Sequence, residues 1–451
     1  MSRKVFFRSS GREPAAPLEH EIGGTQDLNK AADLPAGLGK AKPGSREAVA
    51  ASPEARAAEL QKEGLPSDLV SNFKPQARVS DVASAFSWCV HFRESSVNRV
   101  LALLVLAFSL SVLGCSHAEA DGVHFKLLKI IHLPTTDRDG DVVSYDAGNH
   151  DVYVSMGKTD SGGVVIDADN DSLVAVVRNG IIRPSGMAWD PKYVYWTSDL
   201  HLKANERGRD RTIRRFGEVV VVAKSGWNVV DTFTTVGTGA DGIWADAGLD
   251  RLYVALDDSN WIDEYTLGRM PRFVGKIALF PQTGAGPDLG VLVRSQHLLY
   301  MPDDSWEEKI DLRTGRIEAK TNITPYLQPA ARHGDPNTKG QIYDAQDDTL
   351  WVGTNRAQIF VFNARNLKVI AHLSAHAGID QVAYDPAEHL VYAFQSDAKG
   401  FDVYNAATMQ HVAFVSTGYV KTHTGVVDPV NHEVFVYAGA AHAVYVYRPV
   451  L

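Results

Sequence analysis

From Asp141 to the C-terminus one pattern returns at intervals of about 41 to 56 residues, and a self-similar period of that length restricts the fold more than any single motif. Each copy opens with a small or acidic residue, an apolar stretch and usually Asp. The openings are Asp141-Val142-Val143-Ser144-Tyr145-Asp146, Ser185-Gly186-Met187-Ala188-Trp189-Asp190, Asp241-Gly242-Ile243-Trp244-Ala245-Asp246, Gly340-Gln341-Ile342-Tyr343-Asp344, Asp380-Gln381-Val382-Ala383-Tyr384-Asp385 and Thr424-Gly425-Val426-Val427-Asp428. A turn rich in Asp, Gly, Asn and Pro follows each one. Then comes a strongly β-prone segment such as Asp151-Val152-Tyr153-Val154, Leu252-Tyr253-Val254-Ala255 or Val434-Phe435-Val436-Tyr437. Third and fourth segments complete the unit, as in Phe401-Asp402-Val403-Tyr404 and Val412-Ala413-Phe414-Val415.

Four short antiparallel strands per unit, repeated without intervening helices, predict an all-β fold of propeller blades. A two-layered sandwich is the competing architecture, but it needs no such regular period. Counting units predicts seven blades. The fourth is degenerate, with Gly290-Val291-Leu292-Val293 in place of the usual opening and Arg294 where Asp is expected. The seventh has only three strands before Leu451, which would leave an unpaired edge. Phe125 to Leu133 is expected to supply the missing outer strand, so that the propeller spans residues 123–451 and is closed by its own N-terminal strand.

Composition divides the rest of the chain of 451 residues, which is 45% hydrophobic and 22% charged as a whole. Residues 1–96 are rich in Ala, Pro, Gly, Ser and mixed charge with no persistent apolar period, and are expected to be disordered apart from a short helix near Pro53 to Lys62. Residues 97–115 contain Arg99 followed by an apolar run of about 15 residues, short for a membrane span but suited to a secretory signal. Val112-Leu113-Gly114-Cys115 resembles the lipobox of bacterial lipoproteins, which implies acylation of Cys115, export, a periplasmic location and a membrane anchor. If Val97 is the start codon, residues 1–96 are an over-extended reading frame; otherwise they form a tail ahead of a short anchor. The two cysteines, Cys89 and Cys115, lie outside the repeats and have no metal-ligand spacing.

The unit of Leu252-Tyr253-Val254-Ala255, Asn260 and Ile262-Asp263-Glu264-Tyr265 resembles the YVTN β-propeller repeat, a WD-like unit, although the tetrapeptide itself never appears intact. The resemblance covers Asp141 to Leu451. It implies a seven-bladed propeller of a group that includes exported binding proteins, lactonase-like enzymes and quinoprotein-like or reductase propellers, so it fixes fold without fixing activity.

In such a ring, the loops entering each innermost strand open on one face. Threading places Asp141, Ser185, Asp241, Asp288, Lys339, Asp380 and His423 at the channel mouth, with Asp257, Asp258, Asp303, Asp304, Asp397 and His442 from the loops between second and third strands. Crowded carboxylates repel unless a cation, a proton or water intervenes, so Asp141, Ser185, Asp241, Asp288, Asp380 and His423 are candidates to hold a ligand or cation. The plain alternative is that Asp caps these turns. Gluconolactonase-like propellers imply a divalent metal such as Ca²⁺ on Asp141, Asp241 and Asp380, with His423 as proton carrier.

The primary expectation is a monomeric binding or scaffold propeller presenting an acidic channel face to a ligand or protein partner; the alternative is a lactonase-like hydrolase using a divalent cation. His333, His376, His423 and His442 carry no haem-attachment motif and are expected on loops. Trp189, Trp244 and Trp351 are expected to pack between blades. The insertion His201 to Arg215 carries Lys203, Arg207, Arg209, Arg211, Arg214 and Arg215, suited to an anionic partner or lipid headgroups, or simply to solvent. A formal net charge of −9 argues against nucleic acid.

Overall fold

The computed structural model describes residues 123–135, 138, 140–156, 162–178, 180–198, 202–206, 209–213, 216–280, 286–327 and 337–450. Cys115, the segments 1–96 and 97–115, the helix expected near Pro53 to Lys62, and His333 lie outside the described residues.

Strand segments with alternating or continuous apolar character pair into seven four-stranded antiparallel sheets, so the fold is an all-β seven-bladed propeller. Blade 1 comprises Val143–Asp146, Asp151–Met156, Gly162–Asp167 and Ser172–Val177. Blade 4 opens with a strand of only three residues, Val291–Val293, in keeping with its degenerate sequence. In blade 2 the connection between the second and third strands grows into a separate hairpin, Leu202–Glu206 with Arg209–Ile213.

Burial follows position in the blade. Second strands such as Thr349–Thr354, Leu390–Gln395 and Glu433–Ala438 are buried at every residue, because neighbouring blades cover both faces. Outer strands alternate, as in Lys368–Ser374, because one face meets solvent. Apolar side chains therefore collect between blades. One cluster joins Tyr153 and Val165 of blade 1 to Trp196 and Val220 of blade 2, and another joins Trp351 and Val361 of blade 5 to Val391 and Tyr404 of blade 6.

The seam closes as expected. His124–His132 pairs antiparallel with Ala443–Val450, from His124 opposite Val450 to His132 opposite Ala443. Ile131 and Leu133 join the cluster that binds blade 7 to blade 1. Phe125 packs edge-on against Tyr392 and Phe401 of blade 6, with centroids 6.1 and 6.0 Å away. The closing strand thus fastens three blades at once.

The Asp that ends each opening has a structural task. Oδ1 of Asp146, Asp344, Asp385 and Asp428 accepts the backbone N–H two residues on, from Gly148, Gln346, Ala387 and Val430, at 2.8–3.0 Å. The second oxygen often reaches elsewhere: Asp246 Oδ2 accepts from His297 Nδ1 at 2.6 Å, and Asp385 Oδ2 from His432 Nδ1 at 2.8 Å, tying each turn to the next blade. Trp351 is fully buried between blades; Trp189 and Trp244 pack against the clusters joining blades 1 and 2 and blades 3 and 4, and also line the central channel. Asp303, expected at the mouth, is fully buried within blade 4.

Candidate functional site

The mouth residues owe their positions to bulges. The first strand slips against the second between Pro184 and Met187, Ala240 and Ile243, Thr338 and Gln341, and Ile379 and Gln381. Ser185, Asp241, Lys339 and Asp380 fall in these slips, where a bulge re-aims side chains away from the ladder. Three of them are followed by glycine, which allows the inner strands to converge. A Cβ on Gly186 would stand 2.5 Å from Asp241 O, and one on Gly340 2.6 Å from Asp380 O.

The re-aimed groups form one electrostatic unit. Lys339 Nζ donates to Asp288 Oδ2 and lies 3.6 Å from Asp380 Oδ1, while His423 Nδ1 donates to Asp380 Oδ2 at 2.6 Å. Burial alone would lower the Lys339 pKa, but Asp288 and Asp380 outweigh it and hold the ammonium charged. Burial would raise Asp380, yet Lys339 and His423 pull its pKa below the usual carboxylate range. His423 is raised, since its bond to Asp380 outweighs desolvation.

Asp241 lacks such a partner. Burial, then the carboxylates of Asp141, Asp288 and Asp257, push its pKa well above the usual value, and Lys339 offsets only part of this. Burial also lifts Asp288 despite its bond to Lys339. One ammonium shared among several carboxylates favours the protonated form of those it offsets least, Asp241 among them.

Of the candidates, Asp141, Asp241, Asp288, Asp380 and His423 share this field. Ser185 is held outside it through its backbone, whose carbonyl accepts Ser155 Oγ–H at 2.6 Å. Among the described residues no three His, Cys, Asp or Glu side chains are placed to hold one metal ion. Within the mouth, Lys339 and His423 set positive charge against Asp288 and Asp380.

A cavity of about 280 Å³ opens here, lined by Lys339, Asn355, Asp380, Ser396, Lys421 and His423 among others. Side-chain exposures of 23% for Lys339 and Asp380 and 12% for His423 leave the cluster within reach of a small group. His423 Nε2 is buried and has no hydrogen-bond partner among the described residues.

Below the mouth the channel narrows to about 160 Å³, lined by Met187, Trp189, Trp244, Gln341, Gln381 and Arg294 among others. Gln381 belongs to blade 6 but gives Nε2–H to Val143 O of blade 1 at 2.7 Å. Its Oε1 accepts Val143 N–H and Gly425 N–H, both at 3.2 Å. The carboxamide extends the backbone bonding of two other blades across the channel wall. Nothing in the pattern of heads signalled this role.

No protein-family model and no curated protein matches the chain. Solved structures do. The β-propeller domain of Cps50 (Swd1) from Myceliophteria thermophila is similar over 72% of this chain and 99% of its own, with TM-score 0.55 and 10% identity. A chain in the structure of the mitotic checkpoint complex is similar over 72% of this chain and 94% of its own, with TM-score 0.56 and 10% identity. At that identity the likeness shows the propeller fold.

Proposed function

We propose that this is a binding propeller which receives a protein or peptide partner at its channel mouth. The observation that carries the reading is His423 Nε2, a buried ring nitrogen without a partner beside the mouth cavity. The bond to Asp380 favours the protonated ring, and in that form Nε2–H has no acceptor among the described residues, an arrangement that costs about 1–3 kcal/mol until one is supplied. A partner's carbonyl or carboxylate oxygen meets that need. A similar propeller within the structure of a protein complex supports a protein partner. In this reading the chain is exported, faces the periplasm, and is held to the membrane by acylated Cys115.

The hydrolase reading requires Asp141, Asp241 and Asp380 to surround a divalent ion. Their arrangement does not favour it, since Lys339 already stands beside Asp380 and the raised Asp241 tends to its neutral form, a poor ligand for a hard cation.

A photo-reactive residue placed at Asn355 or Ser396 of the mouth, and at Ala247 on the opposite face, tests the proposal in the native membrane. Adducts from the mouth positions that disappear with His423→Gln are expected. Equal yields from both faces, or adducts indifferent to that substitution, refute it.

A further inference from the structure

Six of the seven innermost strands lead into a turn Asp, namely Asp146, Asp190, Asp246, Asp344, Asp385 and Asp428; blade 4 has Arg294 there. An arginine cannot cap the turn as Asp does, and this one points elsewhere. Its Nε donates to Ala245 O of blade 3 at 3.1 Å, and its guanidinium lies 5.9 Å from the ring centre of Trp189 in blade 2. Its two Nη groups make no hydrogen bond, and no carboxylate comes within 4 Å, among the described residues.

Two cavities meet at this side chain. The channel of about 160 Å³ and a bowl of about 460 Å³ on the turn face are both lined by Trp189 and Arg294. The bowl's wall also has Tyr145, Pro191 and Ala247, and the charged Asp146, Asp190 and Lys224. The neighbouring carboxylates are already engaged. Asp146 accepts from Lys224 Nζ, Tyr153 Oη and Gly148 N. Asp190 accepts from Tyr195 Oη and the N–H groups of Lys192 and Tyr193. Asp246 accepts from His297 and Leu249 N. The Nη groups of Arg294 have no hydrogen bond among the described residues; Asp246 and Asp146 act on its charge only through space.

We propose that Arg294 anchors a second ligand site at the turn-face end of the channel, one that takes a small carboxylate with an apolar or planar body. The two Nη groups match a carboxylate end-on and bidentate, a geometry that favours arginine over lysine. Trp189 and Tyr145 offer ring surface to the body of the ligand, and the bowl lies within the usual range of roughly 300–1,000 Å³ for small-molecule sites. The site is separate from the mouth, so it stands or falls independently of the partner proposed there.

Benzoate, its neutral isostere benzamide, and inorganic phosphate are suitable probes for calorimetric titration of the full chain. Saturable binding of benzoate, with benzamide and phosphate each at least about tenfold weaker, is expected, as is a loss of at least about tenfold in Arg294→Gln. Arg294→Lys keeps the charge and stem but loses the fork, and should fall between the two, with circular dichroism reporting an unchanged fold. The proposal is overturned if benzoate shows no saturable binding, if phosphate or benzamide binds as well as benzoate, or if a folded Arg294→Gln or Arg294→Lys protein binds benzoate like the parent.

Discussion

His423 Nδ1 stands 2.6 Å from Asp380 Oδ2, joining the first residue before the last blade's inner strand to the bulge of the blade before it. The contact sets the protonation of the mouth. His423 has a raised pKa, so its stabilisation is fully present below the unfolded value near 6.5 and is lost as pH rises through the folded value. Asp380 has a lowered pKa, so its contribution is present above about 3.9 and is lost as pH falls through its folded value. His423→Gln is expected to cost about 1 kcal/mol at pH 6 and less at pH 9, measured by denaturant unfolding. An equal cost at both pH values would contradict a charged His423.

Lys339 holds Asp288 and Asp380 together; if it goes, Asp288 loses its nearest cation and Asp380 keeps only His423. Lys339→Met should destabilise by about 2 kcal/mol at pH 8, below the usual figure for a fully buried pair because the groups are partly exposed. At pH 4, where carboxylates take up protons, the cost should shrink. Chemical denaturation at the two pH values distinguishes this from a simple packing loss, which would not change.

Blade 4 buries poorly partnered carboxyl groups: among the described residues neither oxygen of Asp303 has a hydrogen bond, Glu307 has only Gln341 beside it, and both residues are fully buried. Burial, then Asp304 and Asp257, raise Asp303 to about 7; burial and Asp303 raise Glu308 to about 8; burial and Glu308 lift Glu307 well above its usual value. The folded state therefore holds more protons than the unfolded one, and stability falls as pH rises between about 4 and about 8. Asp303→Asn or Glu307→Gln should gain on the order of 1–2 kcal/mol at pH 9 and little at pH 4. A loss at pH 9 would show that these charges are paired.

The closing strand is open to direct attack. Ile131 is 6% exposed within the cluster joining blades 7 and 1, so Ile131→Ala should cost about 2–4 kcal/mol. Ile131→Asp should also break the cooperativity of unfolding. Thermal unfolding that stays single and sharp in Ile131→Asp would mean the ring does not depend on its seam.

Much of this was legible beforehand because blades repeat. The heads ending in Asp, the continuous apolar second strands and the orphan edge of the seventh unit predicted sheet number, order and closure from residues such as Asp385, Val391 and Ile131. Threading likewise gathered Asp241, Asp380 and His423, since every blade contributes the same loop to the same face. The threading could not tell which charge would dominate. Lys339 appeared as one basic head among acidic ones, and its reach to two other blades depends on bulges that no local pattern specifies. Gln381 and the burial of Asp303 were invisible for the same reason: each depends on a neighbour more than one hundred residues away or on packing across a blade face. Arg294 was visible only as an irregularity, an exception to the repeat with no stated purpose.

If Lys339 offsets the charge of Asp288 and Asp380 so that the mouth needs no metal ion, the thermal unfolding midpoint of the full chain titrated with Ca²⁺, Mn²⁺ and Zn²⁺ will show no saturable shift in the parent protein. A saturable rise that Asp241→Asn or Asp380→Asn abolishes would contradict this, because only a site ligand stabilises the folded state in that way.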